Sequence, residues 1–355
     1  MRYNLWKDKI KVIIFNKGGH KFPSLKFILN GVPVEIVQSY CYLGIIFTSC
    51  GSFTKACEAL TDKALKAFYK FKQIHPYNNV LLSLKLFDIL VTPIATYAGS
   101  VWGVICTGNI FSVYDLNFYD KPPLEKINLK LCRYLLGVNK YSCKHAVRGE
   151  LGRFPLLISA LDMCSKMKSR VFTLHDDSLV KLSCLDMHKN MSNYELYDKN
   201  ALSVSWLARV NKIDSITSGF TKSSLQEIYR ERWETFISNM TIQNKLRTYA
   251  RFKSSFDMEN YVTVLPFIKR KMSTRLRISC HNLAIEKGRH VPIPKADDII
   301  CDFCHLRRDR CSCLSFKYNR LCKVCNVVED EKHFLLHCSL YNSLRETFLN
   351  NLKNF

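Results

Sequence analysis

Gly51-Ser52-Phe53-Thr54-Lys55-Ala56-Cys57-Glu58-Ala59-Leu60-Thr61-Asp62-Lys63-Ala64-Leu65-Lys66-Ala67-Phe68-Tyr69-Lys70-Phe71-Lys72 is the stretch on which the fold turns. Phe53, Ala56, Leu60, Ala64, Ala67 and Phe71 recur at three- and four-residue steps, so they share one face of a helix. Ser52 stands where an N-cap side chain is needed. Lys55, Lys63, Lys66 and Lys70 gather on a neighbouring face. Such a stripe suits a phosphate backbone, although a solvated polar face is the commoner use of the pattern.

Upstream, the apolar residues come in short β-type runs. Val12 to Phe15 is one, and Tyr40 to Phe47 reads as another single strand. Phe27-Ile28-Leu29 and Val32-Pro33-Val34 flank Asn30-Gly31, a dipeptide that tolerates positive φ and signals a hairpin. Downstream, Val80 to Leu90 is apolar nearly all round, which predicts a helix central to a bundle. Helical periodicity returns at Leu124 to Leu136, Leu156 to Phe172 and Ser224 to Met240, while Asp176 to Asn200 is polar and reads as a linker or mobile loop. A second basic stretch comprises Lys269-Arg270-Lys271 and Arg275-Leu276-Arg277, preceded by Lys245, Arg247, Arg251 and Lys253.

An apolar content of 47% against 23% charged residues is that of a globular chain and excludes wholesale disorder. The excess of 53 Lys and Arg over 30 Asp and Glu, +23, points to a polyanionic partner: RNA, an RNA–DNA duplex or DNA. The alternative is a basic protein with no specific partner. The N-terminus carries no uninterrupted apolar signal region, so the 16 cysteines suggest thiols in a reducing compartment, nucleus or cytoplasm, rather than secretion. Ile89 to Thr107 is uncharged, but Pro93, Gly99 and Gly103 favour a buried helix and turn over a membrane span. Neither a membrane nor a small-molecule substrate is expected.

Cys322 and Cys325 are two residues apart, and His333 and Cys338 follow an acidic patch, Glu329-Asp330-Glu331. Zn²⁺ accepts such N/S sets and usually closes structural sites with four protein ligands. Metal binding worth roughly 10–16 kcal/mol in small zinc peptides would supply the folding free energy of so short a segment. Reduced surface cysteines are the alternative. His337 is a fallback ligand, and Cys301, Cys304, Cys311 and Cys313 form either a second metal site or an insertion without function.

Taken in order, several segments resemble the region downstream of the catalytic core in reverse transcriptases of non-long-terminal-repeat (LINE-type, jockey-like) retrotransposons. Lys9-Ile10-Lys11-Val12-Ile13-Ile14-Phe15-Asn16 is similar to the family's Lys-Thr-Lys strand, with Ile10 in place of threonine. Tyr40-Cys41-Tyr42-Leu43-Gly44 resembles its primer-grip motif, and Ser52-Phe53 the start of its thumb helix. Pro93-Ile94, Tyr97 and Trp102-Gly103 resemble a further thumb pattern. Glu150 to Leu156 and His281 to Arg289 also look familiar, and the Cys-Cys-His-Cys set matches the terminal zinc element. The match runs over almost the entire chain and departs from the pattern between Asp297 and Lys317.

The resemblance implies a mainly α chain with a short N-terminal β segment (a palm remnant), a helical thumb-like body and a small zinc-knuckle-like element. The implied divisions are 1–50, 51–175, a linker at 176–200, a basic helical region at 201–295 and the Cys/His-rich element at 296–355. Lys9 would sit near an incoming triphosphate, Tyr42, Leu43 and Gly44 at the primer terminus, and the α-helical lysines with Lys269, Arg270 and Lys271 on nucleic acid. Lys323, Lys332 and Arg345 would add charge at the zinc element, where Phe334 or Tyr341 could stack on a base, Phe334 being also the obvious filler of its small core. The family's carboxylates, which hold two Mg²⁺ ions, precede the Lys-Thr-Lys strand, so a truncated polymerase that binds without polymerising alone is expected; Mg²⁺ belongs only to the intact enzyme. Neither Ala296-Asp297-Asp298 nor His175-Asp176-Asp177 precedes the primer-grip strand, so neither is assigned catalysis. The alternative is a zinc-dependent nucleic-acid-binding host protein derived from such an element.

Overall fold

The computed structural model describes residues 10–16, 25–74, 79–105, 113–189, 206–217, 221–239, 245–246, 248–288 and 320–353. Three short strands, β1 (Lys11–Val12), β2 (Phe27–Leu29) and β3 (Val32–Ile36), form a sheet in the order β1-β3-β2. β1 lies parallel to β3, and β2 pairs with β3 across Asn30-Gly31, whose φ angles of 51° and 75° are those a primed two-residue turn requires.

Where the sequence predicts one strand over Tyr40–Phe47, the chain makes a hairpin instead. β4 (Ser39–Tyr42) and β5 (Ile45–Thr48) pair antiparallel and turn at Leu43-Gly44, with φ of 47° and 83°. Leucine in the left-handed region costs about 1–2 kcal/mol, so an apolar run conceals this turn. The Tyr97 hydroxyl holds it by donating to the Leu43 carbonyl at 3.0 Å.

The rest is mostly helical. The helices are α1 (Thr54–Ile74), α2 (Val80–Leu90), α3 (Thr92–Ala95), α4 (Gly99–Trp102) and α5 (Glu125–Leu136), then α6 (Lys144–Glu150), α7 (Leu156–Phe172), α8 (Leu179–Lys189), α9 (Trp206–Thr217) and α10 (Lys222–Ser238). Four shorter or more basic ones follow, α11 (Tyr249–Phe252), α12 (Asn260–Val264), α13 (Phe267–Arg277) and α14 (Ala284–Lys287), before the terminal α15 (Asn342–Lys353). The chain divides into two compact units: Met1–Leu129 with Phe154–Arg232, and Lys130–Arg153 with Trp233–Phe355. Residues 130–153 thus fall in the second unit.

In the first unit α1 packs on α2, α3 and β5. It buries Ala56, Cys57, Leu60, Thr61, Ala64, Phe68 and Phe71, so the apolar face is the predicted one turned slightly, with Phe68 inside and Ala67 at its margin. Ser52 accepts from the Thr54 amide at 3.3 Å at the start of this helix. α2 is less central than its composition predicts. Val80, Ser83, Leu84 and Phe87 are buried, whereas Leu81, Leu82, Ile89 and Leu90 are exposed, because its packing partners, α1 and α3, lie on one side.

Over its described residues the uncharged window after α2, expected as one buried helix and a turn, breaks into the short helices α3 and α4. Among the described residues no helix is long and apolar enough to cross a membrane. Trp102 is fully buried and donates its indole N–H to the Tyr97 carbonyl at 2.8 Å. α4 lies directly on α7: a Cβ at Gly103 would fall 2.7 Å from the Gly99 oxygen and 2.9 Å from the Ala160 oxygen. The polar Asp176–Asn200 segment, read as a loop, contains α8; its Cys184 joins Val171 and Leu207 in a small core beside Met167 and Trp206. Among its described side chains Cys184 alone is buried, while Leu179, Val180 and Leu182 are exposed.

In the second unit, Trp233, Tyr249 and Phe256 form an edge-to-face cluster against α6, with ring centroids 6.4 and 5.2 Å from Trp233. The Trp233 indole donates to the His145 carbonyl at 2.8 Å, and the Tyr249 hydroxyl to that of Ala146 at 3.3 Å. Glu150, at the end of α6, is buried and receives the Arg277 guanidinium through Nε and Nη2 at 3.2 Å, together with the Tyr261 hydroxyl. Burial pushes its carboxyl up from the usual range, and Arg277 opposes that.

The α4–α7 contact generates a stability test. Gly103→Ala should destabilise by about 1–3 kcal/mol, since overpacking meets two backbone carbonyls rather than movable side chains. A thermal melt at the wild-type midpoint would show the chain close-packed differently here.

Candidate metal centre

The C-terminal segment builds its site from local backbone turns. Leu321 and Val328 form an antiparallel bridge, and the Cys322 amide donates to the Val327 carbonyl at 2.7 Å. Asn326, at φ 51°, donates to the Cys322 carbonyl at 2.9 Å, so the chain folds back and presents both thiols on one side. A wide helical turn over His333–His337 then carries the imidazole, and the Cys338 amide donates to the His333 carbonyl at 2.8 Å.

One atom each from Cys322, Cys325, His333 and Cys338 lies within 4.8 Å of the others. Cys338 Sγ is 3.8 Å from Cys322 Sγ and 3.9 Å from Cys325 Sγ. These separations are far beyond a disulfide bond. They match the edge, about 3.8 Å, of a tetrahedron whose centre carries Zn–S bonds of about 2.3 Å. His333 Nε2 is buried without a protein hydrogen-bond partner, which fits a nitrogen reserved for a cation. The donor set fits a metal such as zinc, and every cysteine among the described residues is free. The Ser339 hydroxyl, 3.4 Å from Cys325 Sγ, pulls that thiol below its ordinary value and favours thiolate; burial pushes Cys338 up. His337 is exposed and lies outside this group of ligands.

The acidic patch proves to be three separate devices. Asp330 Oδ1 accepts from the His333 amide at 2.7 Å and fixes the ligand turn. Glu329 accepts from the Ala284 amide at the start of α14. Glu331 is buried and accepts from Ser279 at 2.6 Å and Thr248 at 2.9 Å, with His281 Nε2 at 2.8 Å. The His281–Gly288 stretch is therefore held to the ligand-bearing segment by two of its carboxylates. Sequence reading missed this, because three consecutive acids look like a solvated run. Phe334 is half-buried, its ring 4.9 Å from that of Tyr341, and so lines an edge rather than a core.

The other expected site residues scatter. Lys9 and Cys301, Cys304, Cys311 and Cys313 lie outside the described residues, as do Asp297 and Asp298. Asp176 and Asp177 are exposed in the turn before α8, Asp176 pairing with Lys181 at 2.7 Å. Tyr42 and Leu43 are exposed at the β4–β5 turn beside Gly44. Lys55, Lys63, Lys66 and Lys70 are all exposed on α1, as is Lys269 on α13. Lys271 is half-buried. Arg270 departs from expectation: it is fully buried, and its guanidinium donates to the carbonyls of Leu135 at 3.0 Å, Val262 at 3.2 Å and Leu265 at 3.4 Å. It closes the ends of local segments instead of facing a ligand. In the basic stretch only the helical phase separates such a residue from its neighbours. Comparison with protein-family models, curated proteins and solved structures finds no match to this chain.

Purified chain should carry zinc that Cys325→Ser or Cys338→Ser lowers by one equivalent, measured by elemental mass spectrometry. Retention should fall on acidification, since thiolate ligands must shed their protons to bind. Unchanged metal content in both variants would assign any bound zinc to other cysteines.

Proposed function

We propose that this chain binds RNA or an RNA–DNA duplex, in the manner of the region that follows the catalytic core in a non-long-terminal-repeat reverse transcriptase. The observation that carries the reading is the lysine stripe of α1. Lys55, Lys63, Lys66 and Lys70 are exposed and fall within about 80° of arc at 3.6 residues per turn. The helix that bears them packs on β5 of the Tyr42-Leu43-Gly44 hairpin. Phosphates attract such a stripe through release of condensed counterions.

The hairpin supports the same reading. Leu43 is a non-glycine residue at positive φ with 73% of its surface exposed, and Tyr42 beside it is 60% exposed. Strained backbone of this kind clusters at ligand-contacting loops. In this reading the small sheet is the palm remnant, α1 and its partners the thumb, and a structural Zn²⁺ on Cys322, Cys325, His333 and Cys338 holds the terminal element. Lys269 adds charge on the second unit, whereas Arg270 is not part of the proposal.

The logarithm of the binding constant for an RNA–DNA duplex should fall linearly with the logarithm of salt concentration. Substituting Lys55, Lys63, Lys66 and Lys70 with Gln should flatten that slope by about 0.9 for each phosphate no longer neutralised. An unchanged slope, read by fluorescence anisotropy, removes the stripe from the interface.

A further inference from the structure

The loop between α5 and α6 in the second unit holds a tyrosine away from every core. Tyr141 is 75% exposed, with the Lys140 ammonium 5.0 Å from its ring centroid. A ring left in water has no part in packing, yet the backbone beneath it is tightly fixed. The Tyr141 amide donates to Asn139 Oδ1 at 3.0 Å. The buried Ser142 donates to the Asn139 carbonyl through its hydroxyl at 2.7 Å, and its own carbonyl accepts from Arg133 Nη2 at 3.3 Å. At the loop's entry Gly137 takes φ 66° to end α5, and its carbonyl accepts from Arg275 Nε at 3.1 Å. A Cβ on Gly137 would fall 2.8 Å from Lys271 Cγ, so the stem of Lys271 lies against the same turn. Lys271 and Arg275 are one turn apart on α13, which brings two cations of the basic stretch to the base of the loop.

We infer that the Gly137–Lys144 loop is a base-stacking site for single-stranded RNA or DNA, with Tyr141 as the platform and Lys140 and Lys271 meeting the phosphates. The inference deepens the nucleic-acid reading and depends on it. Lys140 covers one face of the ring and leaves the other to a base. Only an unpaired base offers its π-face in this way, since bases within a duplex are already stacked on their neighbours. The loop's hydrogen bonds set the platform before the ligand arrives, which limits the ordering cost of binding. Nothing in this arrangement reads sequence, because every base has a π-face.

Anisotropy of the full chain with labelled single-stranded RNA, single-stranded DNA and an RNA–DNA duplex tests it. Tyr141→Ala should weaken binding to single strands by about 5- to 150-fold, the range that loss of one base stack produces. Tyr141→Trp should retain affinity, and duplex binding should change by less than about twofold. Lys140→Gln should lower the single-strand salt slope by about 0.7. Since the ring is exposed, the melting temperature of Tyr141→Ala should equal that of the wild type, which separates lost stacking from lost fold. A comparable loss on RNA and DNA supports stacking without a 2′-hydroxyl contact, and a loss confined to RNA supports stacking with one. Affinity for both single strands within about twofold of wild type, or an equal loss on the duplex, overturns the stacking site. If the wild-type chain binds none of the three probes, the nucleic-acid reading itself falls; if it binds the duplex through α1 while Tyr141→Ala is neutral, only the loop proposal falls.

Discussion

Among residues 320–347 no aliphatic or aromatic side chain is buried; the buried ones are Arg320, Cys322, Glu331, His333 and Cys338. A segment of that kind gains little from removing apolar surface from water, so something else must hold its turns together. Three thiols and an imidazole occupy the place of a core, at spacings a tetrahedral cation would accept. Without a cation, buried thiols and an unpartnered imidazole nitrogen would carry a desolvation cost with no return. With one, ligand bonds replace the missing packing. The hydrogen bonds of Glu329 and Glu331 then extend that order to the His281–Gly288 stretch.

Charge in the second unit is divided between two uses. Arg270 and Arg277 turn inward, the first onto carbonyls and the second onto Glu150, where a bidentate contact offsets burial of the carboxylate. Removing one member of such a pair would strand the other, so these arginines are bound to the fold. Lys269 and Lys271 remain at or near the surface, and Arg275 braces a loop. Formal charge alone therefore overstates what the basic stretch offers a phosphate. The lysines of α1 differ, because helical phase places all of them away from the buried face.

Local signals were legible in the sequence where one residue type has one physical use. Asn30-Gly31 forms the expected turn, Leu156–Phe172 is a helix with the expected bounds, and the spaced cysteines and histidine converge. Features that depend on tertiary partners were not. Leu43-Gly44 turns despite an apolar run, because the Tyr97 hydroxyl, distant in sequence, braces a strained leucine. α8 forms around one buried cysteine, and the apolar α2 keeps an exposed side since its neighbours lie on the other. Glu150, Glu331 and Arg270 look like surface charges until their partners, contributed by distant segments, are in place.

X-ray absorption at the zinc edge reads the ligands that hold the terminal segment. It should be recorded on chain whose Cys301, Cys304, Cys311 and Cys313 are replaced by serine, so that one site is seen. The expected shell is four-coordinate, with three sulfurs at about 2.3 Å and one imidazole nitrogen at about 2.0–2.1 Å. A shell dominated by oxygen, or a metal-free protein whose terminal segment keeps its protected amides, would contradict it.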